Sequence, residues 1–243
     1  MDRLPFGIRR LDSIISGGAP QGSVVVLAGE AGAGAREFLY TSAVINALYR
    51  GDRDLFELTY GDLDQRSVMP DEIHFISFTD NKRSFHRELN LVMSEEVVEA
   101  GIEPITFEDL SSSYFQLSLV PRSWYAGVNQ RLEHLGGRGE RPDTVGALGD
   151  YLDANAGSNL VLIDSLSDLA AITDEEFTWA DIALLIKGLR RAAREWNGLI
   201  MLLADKETMT DTEFGFLMSS ADATFLFEWA AGGYELDRTM VVK

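Results

Sequence analysis

Short unbroken apolar runs alternate with amphipathic stretches along this chain. Val24, Val25, Val26, Leu27 and Ala28 follow one another with no polar interruption. A run this short and this rich in valine predicts a parallel strand buried on both faces, because a half-exposed strand would alternate. Comparable runs lie at 74–78, 159–164 and 199–203, with a shorter one at 105–107. Two more, at 224–227 and 238–242, would finish a sheet. Between them, apolar residues recur at helical spacing over 36–49, 84–92, 144–155 and 179–196, where Ile182, Leu185, Ile186 and Leu189 share one face. Strands alternating with helices predict an α/β fold, with a mostly parallel central sheet and helices on both faces.

The pattern breaks in four places. Gly17 to Ser23 is a glycine-proline turn. Residues 51–72 are polar and acidic, which predicts a long surface loop or insertion. Residues 111–124 are aromatic and serine-rich without a clear period, and 136–139 read as a flexible turn. No internal repeat is visible. With 243 residues, 46% of them hydrophobic, one domain spanning 1–243 is the expectation.

Composition narrows the chemistry. There is no cysteine, which excludes disulfides, zinc–thiolate sites and thiol catalysis. No run approaches 18 apolar residues, and the first residues lack the apolar segment and cleavage site of a secretory signal. A cytoplasmic chain without a membrane span is therefore expected. The formal charge of −18 argues against nucleic acid as a partner, since Arg9-Arg10 and Arg190-Arg191 are isolated basic pairs. Lysine occurs only at 82, 187, 206 and 243. An acidic, lysine-poor surface resembles the proteins of salt-loving archaea, although an acidic bacterial protein has the same balance. His74, His86 and His134 lack metal-ligand spacing, and the four tryptophans read as core or interface residues.

The chemically informative stretch is Gly29-Glu30-Ala31-Gly32-Ala33-Gly34-Ala35-Arg36, placed between the first strand and the first long helix. A phosphate-binding loop reads G-x-x-x-x-G-K-[ST]. Its glycines let backbone N–H groups curl round phosphate oxygens, its lysine offsets the terminal phosphate charge, and its hydroxyl ligates Mg²⁺. Here Gly29, Gly32 and Gly34 hold the glycine spacing. Ala35 stands at the lysine position and Arg36 at the hydroxyl position. Sliding the frame by one residue puts Arg36 in the lysine slot but displaces the glycines, and a guanidinium is not an ammonium in a tight anion nest. The plain alternative for Arg36 is a solvated arginine on the first helical turn.

The flanking residues carry a family resemblance. Phe6 to Ser23, followed by the strand and the loop, resembles the opening of the KaiC and RadA branch of RecA-like P-loop ATPases, with its G-[IV]-x-x-L-D-x-x-[IL] and G-G-x-P-x-G-S patterns. Leu162-Ile163-Asp164-Ser165-Leu166 resembles the Walker B strand, which implies that Asp164 is the Mg²⁺ position. Arg238 to Lys243 resembles the last strand, which in ring-forming relatives points basic residues at the neighbouring subunit's nucleotide. The fold implied is a RecA-like core, and the ligand implied is ATP with Mg²⁺. At the end of the second strand these relatives carry paired glutamates, one of which polarises the attacking water. The matching positions are Thr79 and Asp80, and Asp80 also reads as a helix N-cap.

The chain further resembles the short single-domain KaiC-like proteins of haloarchaea often labelled HTR-like and implicated in signal transduction. Lysine, hydroxyl and glutamate pair are all missing, and Glu30 adds negative charge to the loop. These losses argue against tight ATP binding and against hydrolysis. The resulting expectation is a non-hydrolysing scaffold or signalling module with protein partners and scope for homo-oligomers. The alternatives are a nucleotide sensor without turnover, or a weak ATPase whose missing charge comes from Arg36, Lys206 or a neighbour's Lys243.

Overall fold

The computed structural model describes residues 1–116, 118–125, 144–171, 178–232 and 235–243. The entry segment folds as β1 (Arg3–Leu4), α1 (Arg9–Ile14) and β2 (Ala19–Pro20), with β1 and β2 antiparallel. Gly18 sits at φ 114° where an added Cβ would lie 2.1 Å from the Leu4 carbonyl oxygen, so only glycine allows this closure.

The apolar runs form the central sheet. Its strands are β3 (Ser23–Gly29), β4 (Ile73–Ser77), β5 (Ile105–Asp109), β6 (Leu160–Asp164), β7 (Leu199–Asp205), β8 (Ala223–Gly232) and β9 (Glu235–Val242). Their order is β5-β4-β6-β7-β3-β8-β9. All neighbours are parallel except β8 and β9, which form an antiparallel hairpin. The expected strands and the mostly parallel sheet are present. β3, β4 and β6 are buried along their whole length, as unbroken apolar runs require.

The long helices are α2 (Ala35–Gly51), α4 (Lys82–Val92), α5 (Glu95–Ile102), α8 (Thr144–Asn155), α10 (Trp179–Trp196) and α11 (Asp211–Ser220). Shorter ones are α3 (Arg53–Thr59), α6 (Ser111–Tyr114), α7 (Arg122–Tyr125) and α9 (Leu166–Ala171). α2 joins one apolar layer with Leu27, Phe75, Leu162 and Phe225, and α10 joins the opposite layer with Val26, Ile76, Ile163 and Leu202. Two layers around one sheet remove both faces of the apolar strands from water. The expected turn at 136–139 and His134 lie outside the described residues. Trp124 is exposed at 78%, so the reading of all four tryptophans as core or interface fails there for a core.

Residues 51–72 depart from the surface-loop expectation. They contain α3, and Leu55, Phe56 and Tyr60 are buried against Leu48. Their apolar residues are few and widely spaced, which hid the helix in the polar average. Tyr60 donates a 3.1 Å hydrogen bond to Asp12, a buried carboxylate that also accepts from the backbone N–H groups of Phe6 at 2.8 Å and Ile8 at 3.1 Å. Burial pushes the Asp12 carboxyl up to about 6, and these hydrogen bonds hold it back from a larger rise.

A raised carboxyl pKa means that the native state binds more protons than the unfolded chain between about 4 and about 6, so this group's contribution to stability is full at low pH and is lost as pH rises through about 6. Tyr60→Phe withdraws a donor from the ionised carboxylate. It should lower stability by about 1–2 kcal/mol at pH 8, and by less at pH 5, read as a shift in urea midpoint at constant slope. A solvated loop at 51–72 would give no shift at either pH.

Candidate functional site

Parallel register brings strand ends together. Gly29 is level with Asp205, and Ser77 is level with Asp164. These carboxyl ends face the first turn of α2, at the crevice where open α/β sheets take ligands. The chain leaves β3 at Gly29, turns through Gly32 at φ 72° and Gly34 at φ 113°, and enters α2 at Ala35. The first-turn N–H groups of such a helix have no acceptor within it and point outward from its start. Within the turn, Ala33 N–H donates to the Glu30 carbonyl at 3.0 Å, and Glu30 N–H donates to the Phe227 carbonyl at 3.0 Å.

Arg36 is half-exposed but anchored rather than solvated. Its Nη2 lies 3.1 Å from Asp164 Oδ1, and the Asp164 side chain is only 5% exposed. Burial pushes the Asp164 carboxyl up to about 6. The guanidinium pulls it down, while Asp168 and Asp80 push it further up. One cation therefore faces three carboxylates, Asp80, Asp164 and Asp168, each dozens of residues away from Arg36 in sequence. Asp168 is tied to the strand end by Ser165, whose hydroxyl donates to its carboxylate at 2.7 Å.

The other two positions from the sequence end nearby. Thr79 is exposed, and Asp80 is half-buried with its pKa raised by burial and lowered by Arg36. Asp80 is not the N-cap of α4. Asn81 takes that place, its side chain accepting from Ser84 N–H at 3.0 Å, so Asp80 is left facing the crevice charge. Thus Gly29, Gly32, Gly34, Ala35, Arg36, Asp80 and Asp164 meet at one end of the sheet.

Above them lies a cleft of about 540 Å³, lined among others by Glu30, Gly32, Arg36, Glu88, Leu91 and Asp205. Glu37 also lines it, so carboxylates outnumber the one guanidinium. Such a wall repels a polyphosphate.

Residues the local motif does not mark complete the rim. Lys206, just past β7, pairs with Glu228 and lies 4.0 Å from Glu30. Trp229 donates its indole N–H to the Ala31 carbonyl and its backbone N–H to the Glu30 carboxylate, both at 3.1 Å. Arg238 stacks over Trp229 at 5.3 Å and reaches Glu37 at 3.5 Å. The β8–β9 hairpin therefore grips the glycine turn from residues nearly two hundred positions away. No local spacing signals that contact, although a tryptophan and a lysine beside the final strands were visible.

No protein-family model and no curated protein matches the chain. Solved structures do match. The flagellar accessory protein FlaH from Methanocaldococcus jannaschii aligns with a TM-score of 0.56 and 13% identity, over 96% of this chain and 83% of that one. The KaiC-like protein PH0186 from the hyperthermophilic archaeon Pyrococcus horikoshii OT3 aligns with a TM-score of 0.58 and 19% identity, over 99% and 87% respectively. At these identities the likeness is one of fold, and the fold is a RecA-like α/β core with a mostly parallel sheet and helices on both faces.

The ion pair sets a measurable balance. Arg36→Met leaves Asp164 buried and unpaired. Because Arg36 is half in water, the loss is discounted from that of a fully buried pair to about 1–2 kcal/mol at pH 8. Without the guanidinium, the raised Asp164 pKa rises further. The variant's deficit should therefore grow as pH climbs through and above about 6, and shrink at pH 5, where the carboxyl is protonated. Urea melts of both proteins at the two pH values check this.

Proposed function

We propose that this chain is a RecA-fold module that does not hydrolyse ATP and works through protein contacts, as a scaffold or signal-transduction component. The observation that carries the reading is the Arg36–Asp164 ion pair. In this reading residues 29–34 are an inherited phosphate loop, Ala35 and Arg36 stand where lysine and hydroxyl would, Asp164 is the vestigial metal position, and Thr79 and Asp80 are vestigial water-polarising positions.

The residues present do not fit magnesium-ATP. A magnesium ion would have to compete with the guanidinium that already neutralises the Asp164 carboxylate, and the two cations would repel one another there. No ammonium sits in the loop, since Lys206 is engaged by Glu228. Glu30 and Glu37 oppose a triphosphate. Removing one group that stabilises transition-state charge costs about two to three orders of magnitude in rate, and here several are absent together. FlaH is a flagellar accessory protein, and an accessory part is work that a non-hydrolysing RecA fold can do. The acidic surface favours protein partners over nucleic acid.

A second reading, a nucleotide sensor without turnover, is favoured by the size of the cleft and by the free N–H groups at the start of α2. Calorimetry with Mg-ATP in high KCl, run beside a phosphate-release assay, separates the two. The scaffold reading expects neither heat at millimolar nucleotide nor released phosphate. The paired substitution Ala35→Lys with Arg36→Thr should gain Mg²⁺-dependent ATP binding, by freeing Asp164 and supplying the ammonium. Binding without release favours the sensor, and turnover by the native chain that disappears in Asp164→Ala sinks both.

A further inference from the structure

The last strand is an open edge. β9 pairs with β8 on one side, and among the described residues no strand pairs with its other side. Lys243 and Thr224 exchange two hydrogen bonds of 2.9 Å. In an antiparallel ladder that phase returns at every second residue. Asp237, Thr239 and Val241 therefore turn their backbone groups toward β8, and Leu236, Arg238, Met240 and Val242 turn theirs outward. The strand has no proline or bulge among 235–242, two of the devices that guard an edge, and its charged residues are confined to Glu235, Asp237 and Arg238. Instead Leu236 is 69% exposed, and Met240, Val241 and Val242 are exposed as well.

We propose that β9 pairs antiparallel with β9 of a second copy, about a two-fold axis through Thr239, joining the two sheets into one. An axis perpendicular to the sheet pairs residues of like parity, which leaves few registers. Centring on Arg238 opposes two guanidiniums, and centring on Asp237 opposes two carboxylates, both unfavourable for directly facing residues. Centring on Met240 sets Leu236 opposite a position past Val242, where β9 ends, and so pairs only three of the four outward residues of the strand. Centring on Thr239 uses all four outward residues. Leu236 then faces Val242 of the second copy, and Arg238 faces Met240 of the second copy, each opposed pair exchanging both backbone hydrogen bonds. On the other face Asp237 lies diagonal to Lys243 of the second copy, within reach of a long side chain.

The register pairs the strand with itself, as an isologous contact requires, and the two Arg238 guanidiniums that it sets diagonal to one another each already face Glu37 of their own chain. It also bears on the crevice. Trp229 and Arg238 belong to the same hairpin, so pairing β9 braces the arm that holds the glycine turn. None of this depends on whether the cleft takes nucleotide.

Sedimentation of the full chain in high KCl should show a concentration-dependent species of twice 26.9 kDa. Thr239→Cys tests the register. Directly opposed non-hydrogen-bonded positions place Cα atoms about 4.5 Å apart, within disulfide reach, and the chain has no other cysteine. Mild oxidation should convert this variant to a covalent dimer, while Leu58→Cys, exposed on α3, should remain uncrosslinked. Met240→Pro removes an outward N–H and leaves the β8 ladder intact, so it should weaken the dimer at least about tenfold with the circular dichroism spectrum kept. Should the proline disturb folding, Leu236→Lys makes the same test. A monomer at every concentration overturns the proposal. So does an assembly that ignores both edge substitutions and leaves Cys at 239 uncrosslinked, the result expected for a ring or for an edge reserved for another protein's strand.

Discussion

A buried carboxylate at the end of a central strand needs a partner for its charge, and in this molecule that partner is a guanidinium from its own chain. Asp164 closes β6 with almost no exposure, and Arg36 reaches it from the first turn of α2. The pairing demands that the start of α2 sit over the end of β6, with β7 lying between β6 and β3. The tight glycine turn after β3 makes this approach feasible. Gly29 is so close to the helix that an added Cβ would lie 2.6 Å from that of Ala35. Fold and site thus share one constraint, the distance between the end of β3 and the first turn of the helix that follows.

That constraint gives the crevice its electrostatic character. With the guanidinium committed, the surrounding carboxylates have no spare positive partner in the loop, and Lys206 is held by Glu228 at the rim. The cleft has the size and position of a ligand site, and its lining carries more carboxylates than cations. The hairpin of β8 and β9 contributes to this arrangement from outside the loop. Trp229 takes up the Ala31 carbonyl, and Arg238 joins the tryptophan to Glu37. The glycine turn is held by groups that sit on the sheet's open edge, so the condition of that edge and the condition of the loop are mechanically linked.

A second buried carboxylate anchors the entry segment on the α2 side of the sheet. Asp12 gathers two backbone N–H groups of the entry segment and the hydroxyl of Tyr60. The aspartate in the opening pattern is therefore a clasp for the chain's own backbone. It also explains why 51–72 is structured: the segment delivers the third donor that this buried charge needs.

Sequence by itself determined the strands of the central sheet, four of the six long helices and the mostly parallel arrangement, while α5 and α11 were not marked. Continuous valine and leucine runs are tolerable only where both faces are covered, and helical spacing such as Ile182, Ile186 and Leu189 can bury only one face. It also marked Gly29, Gly32, Gly34, Ala35, Arg36, Asp80 and Asp164 as one site, because glycine spacing and a strand-terminal carboxylate are local patterns. Tertiary structure decided what those residues do. Whether Arg36 is solvated or paired depends on a carboxylate 128 positions away. Whether Asp80 caps a helix or faces the crevice depends on the one-residue choice that Asn81 wins. The grip of Trp229 on the loop, and the role of Tyr60, likewise join distant segments. Periodicity reports which face of an element avoids water, whereas ion pairs and hydrogen bonds depend on ångström distances between elements, and only their packing sets those.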